Sequence, residues 1–234
     1  MMKQPLISQA SQSEDLLLEL HGTYEQNPIL KGLIQIIPYG GIPDALISTY
    51  ANKLKAKKLR AFFEQLNEGE FELTKEMVLN NDFLNAYFST LNYVLRSRSD
   101  IKFRAFAEIL KALGSNKITP DEHEDYSKIF DDLTEREFMI LSIKHDFELT
   151  HEHTYPNINP LQRTSKYWAQ FKSMVFEKTN INDNEMQAML IRIQRTGCYL
   201  KFTGYWDEST DQVGDTTEIF SILKKIITNE TRPS

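Results

Sequence analysis

"NDNEMQAMLIRIQRTGCYLKF", residues 182–202, contains the change of period that decides the fold. Apolar residues recur at helical spacing in its first half, and Asn182 with Glu185 can cap the start of that helix. After Gly197, which can end a helix, apolar and polar residues alternate along 199–202, as they do in a half-buried strand. The stretch therefore predicts a recognition helix followed by the first strand of a wing.

Two helix starts precede this stretch, and one helix follows it. Thr134 and Glu137 form a capping box, in which each side chain can accept from the other residue's backbone N–H, and Asn159 precedes a proline at the first helical position. After the strand, a polar turn leads into the helical pattern "TTEIFSILKKII". This order is that of a winged-helix unit, so we expect a winged-helix-like domain over 118–234, with a β-hairpin wing at 198–216.

The first half of the chain predicts a helical bundle over residues 15–117, after a mobile tail at 1–14. Beyond Pro43, apolar residues recur at helical spacing, at Leu46, Tyr50, Leu54, Leu59, Phe62, Phe63 and Leu66. "NDFLNAYFSTLNYVL" and "DIKFRAFAEILKAL" predict two more amphipathic helices, and Gly114 stands where a left-handed C-terminal cap belongs. The expected fold class is mainly α, a helical bundle followed by a winged-helix-like domain.

Composition excludes several classes of protein. The chain of 234 residues has a formal net charge of -6, which argues against a surface that attracts phosphate everywhere. Its single cysteine, Cys198, excludes an intramolecular disulfide and a cysteine-based zinc motif. No apolar run approaches the roughly 18 residues of a membrane-spanning helix, and no signal-peptide pattern opens the chain. We expect a cytoplasmic protein.

The predicted recognition helix gives a test of DNA binding. The candidate DNA contacts are Asn184, Arg192, Arg195 and Lys201, but two apolar residues share that outward face. The wing adds acidic residues at Asp207, Glu208, Asp211 and Asp215, where a phosphate contact would require cations. The pattern therefore favours packing or protein contact over nucleic acid, with a DNA-binding transcriptional regulator as the alternative.

Catalytic motifs are missing from the sequence. "HDFELTHEH" offers His145, His151 and His153 as weak metal candidates, yet their spacing matches neither a structural zinc site nor HExxH. The sequence contains no GxSxG, Walker loop or GxGxxG, and Cys198 has no evident base beside it. We expect a non-enzymatic protein without a cofactor.

A basic cluster follows a Pro-Gly turn in "IIPYGGIPDALISTYANKLKAKKLR", residues 36–60. The cluster is a candidate membrane or partner surface, formed by Lys53, Lys55, Lys57, Lys58 and Arg60. Each cation near anionic headgroups contributes about 1 kcal/mol. The structural alternative is a turn between packed helices, with the lysines on the solvent-exposed face of the second helix. The residue pattern favours this alternative.

Several segments together resemble the abortive-infection alpha family of bacterial proteins. They are the "IPYGGIPDAL" turn, the basic helix "KLKAKKLRAFFEQL", the middle helices quoted above, and a winged-helix-like C-terminal unit with a helix starting at Thr216 or Thr217. The resemblance implies a cytoplasmic protein of phage defence that acts through contacts with a protein partner, a second copy or a membrane surface. It transfers no catalytic residue.

Overall fold

Helices dominate the part of the chain that the computed structural model describes, which comprises residues 27–35, 45–69, 71–154, 156–202 and 212–228. Contacts divide the chain into two compact units, Met1–Ser127 and Lys128–Ser234. This division falls ten residues after the sequence-based boundary at 117/118, inside a helix. The predicted tail at 1–14 lies outside the described residues.

The helices of the first unit are α1 (Pro28–Gln35), α2 (Ala45–Leu66), α3 (Lys75–Leu79), α4 (Asn81–Arg96), α5 (Asp100–Gly114) and the start of α6 (Pro120–Asp132). The second unit contains the end of α6, then α7 (Glu135–Thr154), α8 (Pro160–Thr179), α9 (Asp183–Gln194), β1 (Tyr199–Lys201), β2 (Gly214–Thr216) and α10 (Glu218–Thr228). The predicted fold class is confirmed at this coarser level: the protein is mainly helical, with a small antiparallel sheet of two strands among the described residues.

Helices α2 and α5 form the main pair of the first unit, and they run in parallel. Lys57 near the middle of α2 pairs with Asp100 at the start of α5, at 3.2 Å. At the other end, the buried Lys111 ammonium donates to the backbone carbonyls of Gln65 and Glu68, at 3.0 Å each. Lys111 therefore adds a charged donor at the end of α2, to the Gln65 carbonyl, which also accepts from the Glu68 N–H, and to the Glu68 carbonyl just beyond the helix.

The buried faces of these helices depart from the predicted stripes at their ends. Leu59, Phe62, Phe63 and Leu66 are buried as expected, whereas Leu54 is 46% exposed and Ile101 is exposed as well. Both lie near the level at which α4 ends and α5 begins. Among the α2 side chains that the structure describes, which begin at Lys53, the first buried one is Lys58.

The predicted left-handed cap at Gly114 is wrong, because Gly114 is the last helical residue of α5 and Asn116 takes the positive φ, 54°. Lys117 donates to the Ala112 carbonyl and Asn116 to that of Leu113, both at 2.9 Å, which is a Schellman motif. Glycine at 114 has another cause, since a Cβ there would lie 2.8 Å from the Phe71 ring.

His123 makes the stability of the first unit depend on pH. Its ring is buried in α6, with Nε2 3.0 Å from the Thr90 hydroxyl, and burial lowers the pKa of His123 to about 4. Above the unfolded pKa of about 6.5, both states are neutral at this site. As pH falls toward 4, the unfolded chain gains a proton that the folded chain excludes, so stability decreases by up to about 3 kcal/mol.

Urea unfolding at pH 7 and at pH 4.5 would measure this loss, and His123→Gln serves as the comparison because its amide can replace the ring nitrogen toward Thr90. The variant should lose less stability than the parent between the two pH values. Equal losses would show that other groups cause the pH dependence.

The second unit packs α7, α8, α9 and α10 around the β1–β2 hairpin. Its core includes Leu141, Tyr167, Phe171, Leu190, Tyr199 and Phe220. β1 and β2 are antiparallel, with Tyr199 opposite Thr216. Tyr199 points into the core, and Leu200 on the other side of the strand is 64% exposed.

The predicted helix starts of this unit are confirmed. Glu137 accepts from the Thr134 backbone N–H at 2.8 Å, and the Glu137 N–H donates to the Thr134 hydroxyl at 3.3 Å. The side chains of Asn159 and Asn182 cap α8 and α9. The apolar residues at helical spacing in α9 face the core: Met186, Leu190 and Ile193 are buried, and Met189 is half-buried. These starts depend on residues three apart, so sequence spacing locates them well.

Candidate functional site

A buried ammonium group lies at the centre of the second unit. Lys144, on α7, is 0% exposed, and its Nζ donates to the Glu148 carboxylate one turn along the helix. Nζ also lies 2.8 Å from Asp215 Oδ1 on β2 and 2.8 Å from the Tyr167 hydroxyl on α8. Since an ammonium has three N–H groups, these three partners satisfy it completely. We call this set, with Thr164 and Thr216, the lysine cluster.

The lysine cluster fixes strand β2 to the helices on both sides. Thr164 of α8 donates to Asp215 Oδ1 at 2.7 Å. Glu148 of α7 accepts from the Thr216 backbone N–H at 2.8 Å and from the Thr216 hydroxyl. The cluster therefore joins α7, α8 and β2 through charged hydrogen bonds.

In the lysine cluster, the neighbouring groups favour the ionised forms of Lys144 and Glu148. Burial alone would lower the pKa of Lys144, but the neighbouring Glu148 and Asp215 carboxylates outweigh burial and raise it. Burial opposes the ionised form of Glu148, yet its contacts with His145 and Lys144 lower the Glu148 pKa below the usual range. The protonated form of Lys144 is thus favoured, whereas an amine nucleophile requires the neutral form. The arrangement supports structure better than catalysis.

Arg192, a predicted DNA contact, forms an ion pair with Glu137 inside the second unit. Its guanidinium lies against the Glu137 carboxylate, with Nε 2.5 Å from Oε1 and the second nitrogen on Oε2. Glu137 is 1% exposed, so the carboxylate would be buried without a cation if Arg192 turned outward. A second pair, Arg136 with Glu185 at 2.7 Å, also joins α7 to α9.

The other candidate DNA contacts remain on the surface. Asn184 and Arg195 are exposed near the two ends of α9, and Lys201 is half-buried on β1. Between them, α9 presents Ala188 and Ile191 to solvent, and Ile191 is 49% exposed. Asp215 is drawn into the lysine cluster, and the other three acidic wing residues lie outside the described part of the chain.

The three histidines proposed as weak metal candidates are not assembled into a site by the described residues. His145 Nδ1 lies 3.0 Å from the Thr216 hydroxyl. The His151 ring donates to the Phe147 carbonyl at 2.8 Å and stacks on Phe147. The side chain of His153 is not among those that the structure describes. Among the described residues, no three potential metal ligands lie close enough together to hold an ion.

The five basic residues of α2 separate into different environments. Lys53 and Lys57 are exposed, Lys55 and Arg60 are half-buried, and Lys57 pairs with Asp100. Lys58 is 7% exposed and donates to the Leu95 carbonyl at 2.5 Å, which satisfies the end of α4. Its assignment to a contact surface is therefore wrong. Burial and the nearby Arg98 lower the pKa of Lys58.

Sequence reasoning missed the lysine cluster. Its members are far apart in the chain: Lys144 and Asp215 are 71 residues apart, and no motif relates them. One local sign was available, because Glu137, Lys144 and Glu148 lie at helical spacing on the same side of α7 as the apolar Leu141. Charged residues within an apolar stripe indicate a buried polar network.

No family model, curated protein or solved structure matches the chain. Among the described residues, every helix falls short of the length and apolar character needed to cross a bilayer.

Proposed function

We propose that the protein is a non-catalytic binding protein and that the outward face of α9 contacts another protein rather than DNA. The engagement of Arg192 by the buried Glu137 supports this proposal most directly. It leaves an outward face with one arginine, Arg195, beside the exposed Ile191. DNA affinity depends on several cations that neutralise phosphates, and apolar side chains surrounded by a polar rim are typical of protein contacts.

The winged-helix assignment belongs to this proposal. The order α7, α8, α9, β1, β2 and α10 supports it, as does the position of the hairpin directly after α9. The setting of phage defence rests on the resemblance to abortive-infection proteins alone. A contact function in either setting requires no reactive group, which agrees with the fully satisfied and protonated Lys144.

A photo-crosslinking experiment tests the protein contact. The full chain, with Ile191 replaced by p-benzoylphenylalanine, is irradiated in the expressing cell, and adducts are identified by mass spectrometry. We expect one discrete protein adduct, because the photoreactive group would lie inside the contact. Lys178, exposed on α8, is the control position and should give no such adduct.

Duplex DNA provides the opposing test. The full chain should leave the anisotropy of a labelled random duplex unchanged, even at about 50 mM salt, where phosphate contacts are strongest. Binding that weakens steeply with salt and is lost in Arg195→Glu would overturn the proposal in favour of the transcriptional regulator. The same adducts from positions 191 and 178 would also contradict it.

A further inference from the structure

Helix α2 has two different faces, and the one that turns away from the core combines lysines with an apolar residue. The core face consists of Leu59, Phe62, Phe63 and Leu66. At about 100° per residue, positions 53, 54 and 57 lie within about 50° of the direction opposite to that face. On this outward face, the side chains of Lys53, Leu54 and Lys57 are exposed to solvent.

The first half of α2 extends past the helices that cover its second half. The end of α4 meets α2 at Lys58, and the start of α5 meets it at Lys57. The twelve residues from 45 to 56 therefore continue beyond this level, over about 18 Å. On the described part of the outward face, Lys53 and Leu54 lie about one helical turn before Lys57, and all three side chains are exposed.

We propose that this outward face of α2 binds an anionic membrane surface, with Lys53 and Lys57 at the phosphates and Leu54 at the acyl boundary. The inference rests on the proposed contact function and names a partner for the first unit. Lysines at the headgroup level attract anionic lipids, and transfer of the exposed part of Leu54 out of water adds to the binding. The helix remains on the surface and does not cross the bilayer.

The order of charge and apolar character along this face fits a bilayer better than an acidic protein. A bilayer presents anionic groups and an apolar layer as two parallel planes, so a helix that lies flat can place Lys53 and Lys57 at the headgroups and Leu54 at the acyl boundary. The Lys57–Asp100 pair does not prevent this contact. Both side chains are exposed, and a solvent-exposed pair of this kind is weak.

Sedimentation with lipid vesicles tests the inference. The full chain is mixed with phosphatidylcholine vesicles that contain about 30% phosphatidylglycerol, and with vesicles of phosphatidylcholine alone, at about 50 mM NaCl. We expect binding to the anionic vesicles only. Lys53→Glu/Lys57→Glu should weaken binding at least tenfold, and Leu54→Ser should weaken it without any change of charge.

Lys75→Glu/Lys117→Glu is the matched control, because it makes the same change of net charge at two exposed lysines outside α2. The control should bind like the parent. Absence of binding by the parent, equal binding to neutral vesicles, or an equal loss in the control would overturn the inference. An acidic protein that binds in place of vesicles would overturn it as well.

These outcomes are separate from those of the proposed function. If vesicle binding fails while position 191 still gives a discrete protein adduct, the inference fails and the contact function stands. If the chain instead binds duplex DNA with a steep salt dependence, the proposed function fails whatever the vesicles show.

Discussion

Lys144→Met should reduce the free energy of unfolding by about 3–5 kcal/mol, which is the range for removal of one partner from a buried ion pair. The substitution leaves the carboxylates of Glu148 and Asp215 close together with the central cation gone. It also removes the donor that the Tyr167 hydroxyl accepts from. Urea unfolding monitored by circular dichroism would measure the change at pH 7.

Two comparison variants show whether the loss of stability comes from the buried ion pair or from the replacement of a lysine in general. Lys172→Met removes a partly exposed pair with Asp183, 2.9 Å long, and should cost less than about 1 kcal/mol. The triple variant Lys144→Met/Glu148→Gln/Asp215→Asn should recover much of the loss, because no uncompensated charge then remains buried. If Lys144→Met lowered the free energy of unfolding by less than about 1 kcal/mol, the lysine cluster would not hold a buried ion pair as described.

Gly214→Ala should cause the next largest effect, a loss of more than about 2 kcal/mol. A Cβ on Gly214 would lie 2.2 Å from the Leu200 carbonyl oxygen and 2.8 Å from the Lys201 Cα. Both are backbone atoms of β1, so the two strands must separate to admit a methyl group. Separation would also disturb Asp215 and Thr216, through which the lysine cluster holds β2.

Thermal or urea unfolding would measure that loss, and Gly32→Ala is the matched control. Gly32 lies in α1, and a Cβ there meets no heavy atom within 4 Å. Alanine is favoured over glycine inside a helix by about 1 kcal/mol, so the control should be neutral or stabilising. A Gly214→Ala protein as stable as the parent would show that the strands do not approach this closely.

Local chemistry explains which features the sequence could predict. Thr134 and Glu137 are three residues apart, so their reciprocal capping follows from the helix itself and could be anticipated. The lysine cluster depends on the hairpin returning Asp215 to a helix that ended 61 residues earlier, at Thr154. Such long-range pairing has no signature in spacing, because it is a property of the packed unit.

The apolar period of α2 shows a second limit of sequence reasoning. Leu54 and Phe62 both fit a repeat of four, yet each step of four residues rotates by about 40° around the helix. A repeat of four therefore passes from one face to another over a long helix. In the structure Phe62 is buried and Leu54 is exposed. The single apolar stripe predicted from the sequence therefore lies on two different faces of α2.

The position of the unit boundary inside α6 has a practical consequence for anyone who expresses the halves separately. A fragment that stops at residue 117 would lack His123, whose ring meets Thr90, and the buried Tyr126. The remaining piece would expose the apolar surface those residues cover and would be prone to aggregate. A cleanly folded first fragment should extend through Ser127, where the contacts within the chain divide.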